Sequence, residues 1–138
     1  MTQHTFVLSR RVGREPILAE RALVGLTHGD YAGLTLVGPF ERRTIVGPWG
    51  SGPVEREAPA DLRTGGRSLE RVEVEVSPWA RHTVEIRVRP AGRRPERWTP
   101  RRQTRYFNHA HQAIDELARA LEHATPAVPA RRPVRRTA

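Results

Sequence analysis

Apolar and polar residues alternate most strictly between positions 69 and 90, where Val72, Val74 and Val76, and later Val84, Ile86 and Val88, stand at every second place among charged neighbours. Period two predicts strands. The break at Pro78–Arg81 predicts a turn between them, and the two runs together an antiparallel hairpin with one wet face. Charge selects the register: Glu75 opposite Arg87 and Glu73 opposite Arg89 keep the valines on one side, whereas tighter pairings set Glu73 or Glu75 against Glu85. The loop of this hairpin is then 79–83. Toward the end of the chain the period lengthens. Thr99 can cap a helix, Pro100 can occupy its first position and Pro126 stops it, which predicts a helix of about 25 residues. At ~1.5 Å per residue it is roughly 37 Å long, enough to cross a small sheet. Phe107, Ala110, Ile114, Leu117 and Leu121 form its apolar stripe, with Ala118 beside them, and the valine face of the hairpin is the expected partner.

Earlier in the chain, Thr5–Val12 reads as a strand closed by Gly13, and Pro16 opens a helix of about ten residues that ends near Thr27–Gly29. Residues 33–66 hold seven Gly and four Pro, so only short strands and turns fit there, the clearest at Leu34–Val37 and Arg43–Val46. Two similar segments, LVGPF at 36–40 and IVGPW at 45–49, each end in Gly-Pro-aromatic. Proline places both at strand ends or edges, with Phe40 and Trp49 folded back over apolar surface as plain turns or as an aromatic gate. The resulting order is that of an α+β fold: a curved antiparallel sheet with a short N-terminal helix and a long C-terminal helix packed across one face. Residues 1–124 form one domain, and 125–138, with three Pro and four Arg, a disordered basic tail.

The segments FVLSRRV, VEVEVSPWARHTVEIRVRP and RYFNHAHQAIDELARALE resemble the START-like, helix-grip superfamily that includes polyketide cyclases and lipid-transfer domains, over roughly residues 4–123. The resemblance implies a cavity between sheet and C-terminal helix that takes an apolar or aromatic small molecule or a lipid. It implies binding more directly than catalysis; an enzyme of this kind would be cyclase- or dehydratase-like. The candidate lining is Phe40, Trp49, Tyr106, Phe107, His111 and Ile114.

Composition narrows the chemistry. All 24 basic residues are Arg, and Cys is absent, so lysine Schiff bases, P-loop lysines, thiols and disulfides are excluded. The longest apolar run, Ala22–Leu26, cannot span a bilayer, and no apolar signal core follows Met1, so a cytoplasmic monomer or homodimer without membrane insertion is expected. The net charge of +9 is concentrated: residues 93–105 hold six Arg against Glu96, and the tail adds four more. Arg93, Arg94, Arg97, Arg101, Arg102 and Arg105, with the stacking surface of Trp98, form a candidate anion site. Cations at a helix start oppose the backbone dipole, which a bound anion would relieve. The alternative function is therefore a nucleic-acid or ribosome-associated basic module.

His111, four residues before Asp115, is the candidate catalytic base, with Asp115 holding its ring toward the hollow; a structural histidine is the plainer reading. His109 falls on the outer face, and the two histidines point about 200° apart on a helix, so they cannot chelate one metal. No metal site or cofactor is expected. WGSG at 49–52 lacks the following helix and third glycine of a phosphate loop, and Ser51 lacks the glycines of a nucleophile elbow.

Overall fold

The structure, a computed structural model, describes residues 6–42, 56–92 and 94–126. The strand expected at Arg43–Val46, Trp49 with its Gly-Pro-aromatic segment, the WGSG loop, Arg93 and most of the basic tail lie outside the described residues.

The element order is α+β throughout. Strand β1 (Leu8–Val12) leads into helix α1 (Pro16–Leu26), followed by β2 (Asp30–Tyr31), β3 (Leu34–Leu36), β4 (Glu41–Arg42), β5 (Arg56–Thr64), β6 (Arg67–Ala80) and β7 (Thr83–Pro90). A single 3-10 turn, Pro95–Arg97, precedes the long helix α2 (Pro100–His123). The strands form one curled antiparallel sheet in the order β1-β7-β6-β5-β3-β2, with β4 also paired to β5. First and last strands are neighbours: Leu8 lies opposite Val88 and Val12 opposite Val84.

The central hairpin has the register that charge selects, with Glu73 opposite Arg89 and Glu75 opposite Arg87. Its tip differs from the expected 79–83 loop. Trp79 is an extra residue bulged out of β6, so Ala80 pairs with Thr83 and only Arg81 and His82 are left to turn. The face expected to be wet is also partly closed. Glu75 is 3% exposed and Glu85 7%, because arginines from neighbouring strands lie across them. Arg89 reaches Glu73 at 2.7 Å, Glu75 at 3.0 Å and Glu57 at 3.4 Å, while Arg87 turns back to Glu85 of its own strand at 2.5 Å. Burial pushes the Glu57 carboxyl above its usual range, the adjacent Glu73 pushes it the same way, and Arg89 opposes both.

The nine-residue strand β5 was hidden from the sequence pattern by Ala58, Pro59 and Ala60, which favour strands weakly. Pro59 is tolerated because it falls between the stretch of β5 paired to β4 and the stretch paired to β3, where no donor is required of it. Its carbonyl instead accepts from the Val37 amide at 3.0 Å.

Alternation places Val72, Val74, Val76, Val84, Ile86 and Val88 on the helix-covered face, all buried. Both helices pack on this face, and what differs is the seat of the long one, expected on the valine face of the hairpin. Because β1 sits beside β7, α2 lies chiefly over β1 and β7, and α1 occupies the remaining concave face with Ala19, Ala22, Leu23 and Leu26. Ala110, Ala113, Ile114, Leu117 and Leu121 of α2 complete a continuous core. No helix among the described residues is long and apolar enough to cross a membrane.

Candidate functional site: the arginine face at the start of the long helix

The connection from β7 to α2 is stiffened by local chemistry. Arg94 adopts a left-handed backbone (φ 60°), which turns the chain into the 3-10 segment. The Thr99 hydroxyl caps α2 by accepting from the Arg102 amide at 3.3 Å. One turn later the Gln103 side-chain amide reaches back and donates to the Trp98 carbonyl at 3.1 Å, tying the helix to the segment before it.

Beneath this latch is an aromatic cluster. Trp98 meets Phe6 edge-on at 6.0 Å and Tyr106 at 5.7 Å, and Phe6 stacks on Phe107 at 5.3 Å. The Tyr106 hydroxyl donates to the Phe6 carbonyl at 2.7 Å, which anchors the entry to β1 under the helix. Burial, together with the Glu70 carboxylate, pushes the Tyr106 phenol well above its ordinary value.

Arg102 lies over this cluster, its guanidinium 4.1 Å from the Trp98 ring centre, and grips Glu70 of β6 with two bonds, at 2.5 and 3.0 Å. It is therefore committed to the fold. Arg94, Arg97, Arg101 and Arg105 are different: all are exposed, and none has a carboxylate partner among the described residues. Several other arginines are paired, Arg10 with Asp115, Arg56 with Glu20, Arg89 with the sheet glutamates and Arg119 with Glu116, whereas Arg21, Arg67 and Arg81 are exposed without a carboxylate partner among the described residues but stand apart from one another in the sequence. Glu96, exposed between Arg94 and Arg97, is the one acidic residue of this segment and makes no ion pair among the described residues. Four exposed arginines against one exposed glutamate thus flank Trp98 along the chain, from the 3-10 turn into the first turns of α2.

The expected cavity lining is dispersed. Tyr106 and Ile114 are 1% exposed, so no water-sized space adjoins either. Phe40 is buried in the core and Phe107 is half-buried against Phe6. His111 is exposed rather than turned inward, and Asp115 is engaged by Arg10 of β1 instead of holding the imidazole. His109, expected in solvent, is half-buried and faces a polar crevice at the tips of β2–β3 and β5–β6. The two histidines flank the stripe centre almost symmetrically, and only the side on which the sheet curls up to the helix distinguishes them. Comparison of the chain with family models, with curated proteins and with solved structures gives no match.

Proposed function

We propose that this chain is a nucleic-acid-binding module whose contact surface is the rim formed by Arg94, Arg97, Arg101 and Arg105. One observation carries this reading: these four guanidinium groups are exposed and have no carboxylate partner among the described residues, while their neighbour Arg102 is neutralised. A rigid support favours phosphate contact, because less side-chain and backbone freedom is lost on binding. Placing four cations at the positive end of α2 costs free energy that phosphates would recover.

The test is salt dependence on a short DNA duplex. Four phosphate contacts predict a log–log slope of about −3.6, so affinity should fall on the order of 100-fold between about 50 and 200 mM salt. Each single Arg→Ala replacement at these positions should reduce the slope by about one. Salt-independent binding, or a fourfold Ala variant that binds like the parent chain, would remove the proposal.

A second reading is the helix-grip binder of an apolar or aromatic small molecule. It is favoured by the element order, with a long terminal helix over the concave face of an antiparallel sheet whose first and last strands adjoin. In this reading Phe40 and Phe107 border the ligand, and core side chains shift to admit it. Native mass spectrometry of the freshly purified chain should then show a bound small molecule; a mass matching the bare polypeptide argues against it.

A further inference from the structure

Helix α1 exposes two large apolar side chains on its outer side. Its sequence, PILAERALVGL, contains two charged residues, and one of them, Glu20, is bound by Arg56 of β5. One side of the helix is buried through Ala19, Ala22, Leu23 and Leu26. The opposite side presents Ile17, 52% exposed, and Val24, 68% exposed, two turns apart on the same line. Exposed Arg21 stands between them on that side, so the exposed apolar side chains are two separate ones rather than an unbroken strip. Beside Ile17 the bulge in β6 turns Trp79 outward, 48% exposed, with the Arg11 guanidinium 3.9 Å from the ring centre on one face. Between Ile17 and Trp79 runs a mainly apolar groove of about 350 Å³.

The two walls of the groove are chemically unlike. The α1 wall carries Glu15 and Ile17, and the β6–β7 wall carries Trp79 and Arg81. Neither Glu15 nor Arg81 has an ionic partner among the described residues, and the Glu15 side chain makes no capping bond to its own helix. Each wall therefore offers what the other lacks.

We propose that this groove is the interface of a two-fold dimer of this chain, in which Ile17 and Glu15 of one copy meet Trp79 and Arg81 of the other. A two-fold axis makes every such contact occur twice, which is how a surface with one acidic and one basic wall becomes self-complementary. Trp79 is suited to the central anchor: it is large, held in place by the bulge and by Arg11, and presented without rearrangement of the strand. Val24 adds a second exposed apolar side chain on α1 beyond the groove, with Arg21 between it and Ile17. The inference is independent of the arginine rim, which lies near the opposite end of β6.

Light scattering across a concentration series tests it. At about 100 µM the mass should approach twice 15.6 kDa and fall toward the single-chain value on dilution to about 1 µM. Trp79→Ser and Val24→Asp should each weaken association at least about tenfold while leaving the circular dichroism and melting temperature of the diluted protein unchanged. Glu15→Arg alone and Arg81→Glu alone should each weaken it about tenfold, and the two together should restore it. A monomer at the highest concentration overturns the proposal, as does a groove filled instead by a co-purified small molecule. A dimer indifferent to Trp79→Ser, or a charge exchange that fails to restore association, overturns the two-fold pairing.

Discussion

Replacing Tyr106 by Ala is expected to remove about 3–5 kcal/mol of stability, a large share of the 5–15 kcal/mol typical of a small domain. The ring is almost wholly buried between Trp98, Phe6 and Phe107, and its hydroxyl satisfies the Phe6 carbonyl. Truncation opens a cavity at the point where β1, α2 and the connecting segment meet. Urea unfolding followed by circular dichroism measures the loss, and a cost below about 1 kcal/mol would mean the ring does not hold these elements together. Tyr106→Phe keeps the packing but strips the carbonyl of its donor, for about 1 kcal/mol.

The same residue gives a pH signature. The phenol's folded-state value is raised, so its stabilising contribution is complete below the unfolded value near 10 and is lost as pH rises above that. Stability should fall above pH ~10 by up to about 1.4 kcal/mol per unit. Tyr31, also raised by burial, contributes in the same direction, so Tyr106→Phe should flatten the decline without abolishing it. An identical alkaline decline in Tyr106→Phe would contradict this assignment.

The second large effect is expected at Gly33. Its backbone is left-handed (φ 92°), and a Cβ built there would lie 2.5 Å from the Arg63 carbonyl oxygen, part of a backbone that cannot swing away. The close approach is itself structural: the Arg63 amide donates to the Gly33 carbonyl at 2.7 Å, locking the β2–β3 turn onto the bulged end of β5. Gly33→Ala therefore combines a conformational cost of about 1–2 kcal/mol with a steric cost of about 1–3 kcal/mol. Gly65→Ala, also left-handed (φ 54°) but facing open space, should show only the first of these. Equal losses at the two positions in chemical denaturation would show that the contact with Arg63 is not limiting.

Much of the architecture was readable because the strongest signals were local. Valines at every second position and opposed charges determine the β6–β7 register, and Thr99, Pro100 and the stripe through Leu121 determine the long helix to within about a residue. What could not be read depends on distant partners. Nothing in the sequence around Ala58–Ala60 announces a central strand, since its stability comes from neighbours on both sides. The bulge at Trp79 appears only once β6 and β7 are paired, and it changes which side chains face the solvent. His109 and His111 exchange roles relative to expectation because the curl of the sheet chooses between two equivalent flanks of the helix. The arginine segment was legible as charge, but the difference between Arg102, spent on Glu70, and its exposed neighbours is a tertiary fact. The seating of α2 over β1 and β7, with α1 beside it, was likewise beyond any periodicity, because it depends on β1 pairing with β7.

The adjacency of the first and last strands bears on how the chain is made. Leu8 must wait for Val88, and at roughly 5–20 residues per second a nascent polypeptide needs about 4–16 s to supply that partner. During that interval the amino-terminal strand leaves the ribosome with its edge hydrogen-bonding groups unclaimed, a condition that invites pairing with other nascent chains. Ser9, Arg10 and Arg11 in the middle of that strand are exposed, and two like charges at such an edge are expected to deter intermolecular stacking. Once the fold is complete the same two arginines tie β1 to Asp115 of α2 and Glu85 of β7.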